Sequence, residues 1–323
     1  MEVESVKNII VIGASAGGIS AVARLVATFK EELDAAIFVV IHLSRQSKSD
    51  VILNFIQKET SLKCKLAEDG EVIQNRTIYM APADNHLMVE RDYIRVRKGA
   101  YENHWRPAID VLFRSAALAY NSCVTGIILT GLLDDGTSGM RAIKRSGGKC
   151  IIQNPAEAEF SDMPQNVLRN IDVDYSVSIG EMIYILLDLY TQRECLPTTV
   201  PDDVRLEATI ALRMTSSVDD VMKLGDLSPF TCPDCGGILS KITEGNAVRY
   251  RCYTGHAYTE KTLEMEQMKS MEESLWVAIR ILEERKNLLN TMASGKSRSQ
   301  DIGIHIDRLK SLMLEINKNI ELN

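Results

Sequence analysis

The chain has 323 residues, of which 45% are hydrophobic and 25% charged, an ordinary composition for a soluble globular protein. This length exceeds the size at which one core normally keeps growing, so we expect one large domain with one or two smaller units. A net charge of −7 without a concentrated basic face argues against a nucleic acid as the main partner, and no apolar run reaches the roughly 18 residues of a membrane span.

The N-terminal segment MEVESVKNIIVIG starts with acidic residues and continues directly into an apolar run. A secretory signal peptide would instead start with basic residues and carry a cleavage site. The chain has seven cysteines, and four of them are scattered singly rather than spaced as a disulfide framework. We therefore expect a cytoplasmic protein in which these four cysteines are reduced packing residues: Cys64, Cys123, Cys150 and Cys195.

Up to about residue 190, short apolar runs alternate with helix-like stretches, which is typical of a doubly wound, mostly parallel α/β sheet. A strand is predicted over 8–12, a helix over 18–29, and a central strand over 35–43, where the run is continuously apolar. The other predicted elements are a helix from near Ser49, strands in RTIYMAPA and DYIRVRKG with a hairpin or edge excursion between them, a helix over RPAIDVLFRSAALAY with Pro107 in its first turn, a strand in TGIILTG, a helix over SGMRAIKRSGG and a strand in KCIIQNP.

The composition changes after Tyr190, where two prolines in ECLPTTVPDD indicate a domain boundary. From Glu260 to about Met292 the sequence has neither Gly nor Pro, and its apolar residues recur at helical spacing. ASGKSRSQ breaks this pattern, which returns in IGIHIDRLKSLMLEINKNI, so we expect a C-terminal helical hairpin. The predicted divisions are an α/β domain over 1–192, a linker over 193–226, a small cysteine-bearing unit over 227–259 and a helical segment over 260–323.

A serine lies in the sequence G-x-S-x-G, formed by Gly13-Ala14-Ser15-Ala16-Gly17, between a predicted strand and a predicted helix. That context is typical of a nucleophile elbow, in which small neighbours let a carbonyl approach the hydroxyl and free N–H groups can hold an oxyanion. The alternative is a phosphate-binding turn, but the glycines match neither G-x-G-x-x-G nor G-x-x-x-x-G-K-[ST]. We interpret Ser15 as the nucleophile.

A serine nucleophile needs a base, and the best placed histidine is His42, at the end of the central strand. Ser15 ends its own strand at the corresponding edge, where ligands collect in parallel α/β sheets. A histidine buried for structural reasons is an equal alternative on spacing alone. His86 and His104 lie in predicted loops, where solvated or substrate-contacting roles are open, and His305 belongs to the C-terminal tail.

A carboxylate is the expected third member of the set, and LLDDG supplies Asp134 and Asp135 after another strand. One of them could hold the imidazole in the required tautomer while the other caps the following helix, or both could only cap it. The chain order Ser, His, Asp matches none of the orders found in α/β-hydrolases, subtilisin and chymotrypsin.

Three cysteines and a histidine follow the spacing C-x2-C…C-x3-H, which is close to that of a zinc ribbon. Four such ligands in a short segment favour a closed tetrahedral zinc site that supplies folding energy. Because no open coordination position is suggested, we predict a structural role. The alternative is a fold that has lost the metal or in which the histidine does not bind. The predicted ligands are Cys232, Cys235, Cys252 and His256.

Several motifs in one order resemble the chemotaxis-type protein-glutamate methylesterases, the CheB family. The resemblance covers about residues 7–190 through IGASAGG, VVIHL, AEDGE, IYMAPADNH, RPAIDVLF, ILTGLLDDGTSGM and QNPAEAEFSDMP. It implies the methylesterase catalytic domain, a doubly wound, mostly parallel sheet. The site residues that it implies are the nucleophile Ser15, the base His42, the acid Asp135, and oxyanion contributions at Ala16 and from the backbone at Leu132.

The resemblance implies hydrolysis of a glutamyl methyl ester on a chemoreceptor-like protein without a cofactor, and leaves open deamidation of glutamine by the same acyl-enzyme route. Well-studied members carry Thr where this chain has Ala16, so only the backbone N–H could donate here. Familiar members also carry an N-terminal receiver domain, whereas here the catalytic domain starts within the first ten residues, as in standalone members, so control by another chain or constitutive activity is expected. Arg106, in HWRP, is predicted to contact substrate or to form a structural salt bridge.

Two other functions fit parts of the sequence. A signalling scaffold would act through the zinc-ribbon-like unit and the C-terminal helices, whose apolar stripe suggests self-association or partner docking. A nucleotide-binding module would need a basic residue or a metal-holding carboxylate near the phosphates, and neither is found. The complete Ser, His and Asp set favours the hydrolase, acting on a methylated chemoreceptor-like protein without nucleic acid and without insertion into a membrane.

Overall fold

The computed structural model describes residues 6–29, 33–192, 195–245, 247–292 and 296–321. The chain divides into two units, Met1–Glu260 and Lys261–Asn323. Within the described ranges, no helix has both the length and the apolar character that crossing a bilayer requires.

The first unit contains a seven-stranded sheet, in which every neighbouring pair of strands is parallel. Its strand order is β3-β4-β2-β1-β7-β8-β9. A separate antiparallel hairpin is formed by β5 and β6. The strands are β1 Ile9–Ala14, β2 Ala36–Ile41, β3 Lys63–Leu66, β4 Thr77–Met80, β5 His86–Glu90, β6 Tyr93–Arg97, β7 Val124–Ile128, β8 Lys149–Gln153 and β9 Tyr175–Val177.

Helices cover both faces of this sheet, which confirms the predicted doubly wound α/β fold. One apolar core joins the sheet to α3 and α4, and the other joins it to α1 and α6. Every residue of β1 and β2 is buried, as expected for central strands of a parallel sheet. The helices are α1 Gly18–Val26, α2 Ser49–Gln57, α3 Ile109–Tyr120, α4 Thr137–Arg145, α5 Asp162–Asn170 and α6 Ile179–Gln192.

Several predicted bounds differ from the structure. Pro107 precedes α3 instead of lying in its first turn, because Ala108 is the N-cap and its backbone is extended. The hairpin turn lies between Glu90 and Tyr93, after the predicted ADNH turn. Strands β3, β5 and β9 of the α/β part are additional to the predicted ones, and two of them, β3 and β9, are short and only partly buried and so lack a clear apolar pattern.

The predicted linker segment carries two helices, α7 Asp202–Arg213 and α8 Val218–Leu224. Helix α7 packs against α3, and Val200 and Val204 join the core on that face of the sheet. The unit is completed by an antiparallel sheet in the order β10-β11-β12-β13. Its strands are β10 Asp226–Thr231, β11 Ile238–Glu244, β12 Ala247–Cys252 and β13 Ala257–Thr259.

Cys123 and Cys195 form a disulfide, so the expectation that both are reduced is wrong. Their Cα atoms lie 5.1 Å apart although the two residues are separated by 72 positions in the sequence. Sequence spacing could not indicate this pairing, because the fold brings the end of α3 and the segment after α6 together. Cys64 and Cys150 are free, as expected.

The second unit consists of α9 Glu260–Thr291 and α10 Lys296–Glu321. A small apolar cluster joins the two helices and includes Ile279, Leu289 and Ile306. The predicted helical pair is present, but α10 begins at Lys296, so the polar residues 296–300 are helical rather than part of the break. Residues 293–295 of the predicted break lie outside the described residues.

Candidate active site

The site lies at the carboxyl ends of three adjacent strands. Ser15 directly follows β1, His42 directly follows β2, and Asp135 lies between β7 and α4. Because β1 is paired with both β2 and β7, these three chain segments emerge side by side. The strand order reverses at this point of the sheet, which is where open α/β sheets form their binding crevices.

The three side chains form a continuous hydrogen-bonded series. His42 Nδ1 lies 3.2 Å from Ser15 Oγ, and His42 Nε2 lies 2.8 Å from Asp135 Oδ2. His42 is 8% exposed and Asp135 only 2%, whereas Ser15 is half-buried and can be reached by a substrate. With Nε2–H donating to Asp135, the lone pair of Nδ1 faces the serine hydroxyl. The arrangement can therefore remove a proton from Ser15.

Asp135 is held at the start of α3. It accepts hydrogen bonds from the backbone N–H of Ile109 at 2.7 Å and from Asn103 Nδ2 at 3.0 Å. Burial by itself would raise the pKa of Asp135, but the hydrogen bonds from His42, Asn103 and Ile109 outweigh it and lower that pKa. Asp135 therefore stays ionised and can stabilise a positive charge on His42.

A second buried carboxylate lies beside the first. Asp110 Oδ1 accepts from the backbone N–H groups of Gly136 and Gly139, at 3.0 and 2.6 Å, and so provides side-chain acceptors for the start of α4. Burial and the neighbouring charge of Asp135 raise the pKa of Asp110. Asp134 contributes its main-chain carbonyl, which accepts from the Thr137 N–H at 3.2 Å.

An indole ring covers the histidine. The Trp105 ring is stacked on the His42 imidazole with a centroid separation of 4.2 Å and an interplanar angle of 9°. The edge of the His104 ring points at the same indole from 5.7 Å. Trp105 therefore limits rotation of the imidazole and excludes water from one of its faces.

The two predicted oxyanion positions lie on either side of the serine. Among the described residues, no backbone or side-chain acceptor is bound to the N–H of Ala16 or of Leu132. A Cβ on Gly131 would lie 2.8 Å from Ser15 Cβ, so only glycine lets the loop before Leu132 approach the nucleophile this closely. The N–H groups of Ala16 and Leu132 thus have no acceptor within the described part of the chain, and their role as oxyanion donors stays a prediction.

Arg106 is held in a structural ion pair. Its Nε and Nη2 atoms donate to Asp84 Oδ1 at 2.9 and 2.5 Å, and Nη1 donates to the Gly99 carbonyl at 2.6 Å. Its guanidinium also lies 4.1 Å from the centroid of the Tyr101 ring. The salt-bridge alternative is thus present in the structure, and a substrate contact stays a prediction.

Of the other histidines, His86 lies in a different type of structure from the one predicted, whereas His104 and His305 lie where they were predicted. His86 begins β5 and is 4% exposed, so its predicted place in a loop is wrong. Its Nε2 lies 2.8 Å from the Ala100 carbonyl and its Nδ1 accepts from the Ala108 N–H, while burial lowers its pKa. His104 is exposed, as predicted for a loop. His305 lies in α10, in the second unit.

The four predicted metal ligands converge at the end of the small antiparallel sheet. Their candidate ligand atoms all lie within 4.8 Å of one another. His256 Nδ1 lies 3.7 Å from Cys232 Sγ and 3.6 Å from Cys252 Sγ, and the Sγ atoms of Cys235 and Cys252 are 3.7 Å apart. Tetrahedral zinc, with bonds of about 2.3 Å to sulfur and 2.0 Å to nitrogen, requires separations of about 3.5–3.8 Å between ligand atoms. The three separations given above match this requirement, and the cluster could therefore hold a metal ion.

Three residues around the triad have no clear signal in the sequence: Asn103, Trp105 and Asp110. The only sequence cue for Asp110 is that it is a carboxylate in the otherwise apolar start of RPAIDVLF. Asn103 has φ 51°, a backbone conformation that Asn adopts more readily than most residues, but ENHW does not show this by itself. Their roles depend on contacts with Asp135 and His42, which are distant in sequence.

The first unit resembles known proteins over most of its α/β part. A family described as CheB methylesterase matches residues 10–186, ending before the cysteine cluster. The crystal structure of the Thermotoga maritima CheB methylesterase catalytic domain superposes with a TM-score of 0.53 at 30% identity, covering 56% of this chain and 98% of that one.

Curated relatives agree with this match. A protein of Leptospira interrogans serovar copenhageni, provisionally named a protein-glutamate methylesterase/protein-glutamine glutaminase, is 36% identical over 182 residues, or 55% of this chain and 94% of the relative. Protein-glutamate methylesterase/protein-glutamine glutaminase 2 of Methanosarcina mazei is 31% identical over 189 residues, or 56% of this chain and 51% of the relative. The matched region thus spans nearly all of the first relative and about half the length of the second.

Proposed function

The chain belongs to the CheB methylesterase family, and on that basis we propose that it hydrolyses glutamyl methyl esters on a methylated chemoreceptor-like protein. The observation that carries this proposal is the hydrogen-bonded series of Ser15, His42 and Asp135 at the carboxyl ends of adjacent strands. The names of the relatives, protein-glutamate methylesterase/protein-glutamine glutaminase, supply the substrate class.

The reaction starts with proton transfer from Ser15 Oγ to His42 Nδ1 as the serine oxygen attacks the ester carbonyl. The tetrahedral intermediate collapses when the C–O bond to methoxide breaks, and the proton on His42 leaves with it as methanol. Water then attacks the glutamyl-serine ester, with His42 again accepting a proton. Collapse of the second intermediate returns the proton to Ser15 and releases glutamate.

Two groups stabilise the charges that develop. Asp135, ionised and hydrogen-bonded to Nε2–H, stabilises the imidazolium form of His42. The backbone N–H groups of Ala16 and Leu132 donate to the oxyanion, and the side chain of Ala16 adds no donor. Each such donor is worth about 10²–10³ in kcat in enzymes of this kind.

The same acyl-enzyme route supports a second reaction. A glutamine side chain in place of the methyl ester would give the identical glutamyl-serine ester, with ammonia leaving instead of methanol after protonation by His42. The names of the relatives include protein-glutamine glutaminase, which supports this activity.

The cysteine unit has a structural rather than catalytic part in this proposal. Cys232, Cys235, Cys252 and His256 would hold a zinc ion with all four positions taken by protein atoms. The bound ion would supply folding energy to the small antiparallel sheet. The hydrolysis steps above need only groups of the chain and water.

The second unit is proposed as a surface for self-association. The proposed location of the protein is the cytoplasm. Helix α9 exposes a group of apolar side chains, with 54% of Trp276, 48% of Val277 and 52% of Ile281 accessible. Such a concentration on one helix is unusual for a surface that stays in water. The net charge of −7 gives no support for a nucleic-acid partner.

The test is release of methanol from methylated chemoreceptor membranes by the purified, zinc-loaded protein. We expect Ser15→Ala to lower the rate by at least about 10³-fold, because the nucleophile is lost while binding and the oxyanion donors remain. Ser274→Ala, an exposed serine in α9, is the matched control and should keep the wild-type rate. If neither wild type nor control releases methanol while both are folded and zinc-loaded, the scaffold function replaces the enzyme.

A further inference from the structure

The cysteine cluster is joined to the active site by a backbone pairing. Ala257, which directly follows the candidate ligand His256, accepts a hydrogen bond from the Asn103 N–H at 2.8 Å. The Ala257 N–H donates in turn to the Tyr101 carbonyl at 3.3 Å. The segment 99–106, which we call the clamp loop, is therefore attached to the start of β13.

A buried ion network forms a second attachment. Glu102 of the clamp loop accepts from Arg251 Nη2 at 2.7 Å and also pairs with Arg114 of α3. Arg251 directly precedes the candidate ligand Cys252, and its Nη1 donates to the Gly255 carbonyl at 3.1 Å, inside the turn that carries His256. The side chains of Arg251 and Glu102 are only 1% and 4% exposed. Because both charges are buried, separating them would cost each one a charged partner in a site that water does not reach.

The other side of the clamp loop holds the triad. Asn103 Nδ2 donates to Asp135 Oδ1 and to Asp110 Oδ2, both at 3.0 Å, and so bridges the two buried carboxylates. Trp105, two residues further on, stacks on His42. A tight turn connects these contacts, since the Trp105 N–H donates to the Glu102 carbonyl at 2.9 Å.

We propose that the Cys232, Cys235, Cys252 and His256 cluster, when it holds a metal ion, positions the clamp loop and thereby aligns Asp135 and His42 through Asn103 and Trp105. The inference rests on the triad of the proposed function. Its physical reason is that so small a sheet has little core of its own, so the ligand set fixes the Cys252–His256 turn. That turn carries both attachments of the loop. Asn103 and Trp105 are positioning residues, acting through Asp135 and His42.

A fluorescence titration tests the coupling without any substrate. The chain has two tryptophans, so Trp276→Phe leaves Trp105 as the only one. Zinc is removed by a chelator, and Zn²⁺ alone is added back while zinc content and Trp105 emission are recorded. We expect emission to change as the indole regains its stack on His42 and to saturate at one zinc per chain. Zinc binding with unchanged Trp105 emission overturns the proposal.

Glu102→Gln tests the same coupling in protein that stays zinc-loaded. It removes the carboxylate charge that pairs the clamp loop with Arg251. Trp105 emission should therefore shift toward that of the zinc-free protein. The value of kcat should fall about tenfold with KM unchanged. Glu244→Gln is the matched control, since Glu244 pairs with Arg249 in the same network. Loss of kcat in both variants, or in neither, counts against the loop as the link.

Asn103→Gly removes the side-chain amide and keeps the backbone conformation, so it distinguishes the contribution of one from that of the other. Glycine tolerates the positive φ of this position, so the variant should bind zinc normally yet lose kcat, about 10-fold to 100-fold, with little change in KM. Removing zinc from this variant should lower Ser15 labelling by a fluorophosphonate less than it does in wild type, because the contact from Asn103 to Asp135 is already lost and only the one from Trp105 to His42 remains. Equal losses in the two proteins contradict the proposal. A zinc-dependent Trp105 signal without methanol release would instead show that the coupling holds and the esterase proposal fails.

Discussion

The role of each residue at this site depends on its contacts in the fold rather than on its residue type. Asp134 and Asp135 are adjacent and chemically identical, yet it is Asp135 that bonds to His42, Asn103 and the start of α3. The hydrogen bonds from His42, Asn103 and the Ile109 N–H lower the pKa of Asp135. The position of Asp135, and not its sequence neighbourhood, is what supports its proposed place in the triad.

Replacement of Asp135 by Asn should lower kcat by about 10³–10⁴-fold with a small effect on KM, because the amide cannot hold the imidazole with Nε2–H directed away from Ser15. Asp134→Asn is the matched control and should stay within a few-fold of wild type. Methanol release measured at several ester concentrations gives both constants. The assignment is wrong if the two variants lose activity equally or if Asp134→Asn loses more.

At the scale of elements, α3, α7 and β12 are joined by buried ion pairs rather than by apolar contact alone. Glu207 of α7 accepts from Arg249 of β12 at 3.0 and 2.9 Å and from Arg251 at 3.3 Å, while Arg114 of α3 pairs with Glu102. Burial would raise the pKa of each of these two glutamates, but the surrounding arginines outweigh it and lower both. The elements therefore depend on ionised carboxylates for their packing.

This arrangement predicts a loss of stability in acid. Because the folded-state pKa of Glu102 and of Glu207 lies below the ordinary value of 4.5, their contribution is present above that pH and is lost as the pH falls below it. Urea unfolding at pH 7, 5, 4 and 3 should show the decline. Glu207→Gln should be less stable at pH 7 by about 3 kcal/mol, since the buried Arg249 and Arg251 each lose one of their two carboxylate partners, and should show a weaker pH dependence.

The control for this experiment is Glu90→Gln, which removes a surface pair with Arg95. Glu90 has 45% of its side chain exposed, so the pair contributes little and the pH dependence should match that of wild type. A Glu207→Gln variant with the wild-type stability profile would show that the buried network does not support the packing of α7.

At the scale of the whole first unit, residues after the matched family region complete the α/β domain. Helix α7 covers α3, and the small sheet that follows it reaches the clamp loop. The disulfide of Cys123 and Cys195 ties the segment after α6 to the start of β7. The C-terminal part of this unit is therefore joined to the α/β part by helix packing, a β-bridge and a disulfide.

Removal of the disulfide by Cys195→Ser should destabilise the first unit. Closing 72 residues into a loop restricts the unfolded chain by about 4 kcal/mol in the chain-entropy account, an upper value because measured effects are often smaller. Thermal unfolding of the variant should thus show a lower Tm, and methanol release at 25 °C should be unchanged. Cys64→Ser, at a free and half-buried thiol, is the comparison. Equal Tm for wild type and Cys195→Ser would contradict the prediction.

The sequence by itself determined the parallel sheet, the helical C-terminal segment, the candidate nucleophile with its partners and the candidate metal ligands. Each follows from a local pattern, because strand periodicity, G-x-S-x-G after a strand and C-x2-C spacing are all contained within a few residues. Parallel pairing then brings strand ends to one edge, which is why Ser15, His42 and one of Asp134 and Asp135 can be grouped from the order of strands and loops along the chain.

Only the tertiary structure decided what covers the imidazole and which cysteines pair, and it shows His42 bonded to Asp135, the acid that the family resemblance implies. Asn103 and Trp105 act across contacts with residues far away in the sequence, and the same holds for the bond between Cys123 and Cys195. The link between the cysteine unit and the triad depends on Arg251 meeting Glu102 across 149 positions. Such contacts arise from the packing of segments that are distant in the sequence, so a local sequence pattern does not predict them.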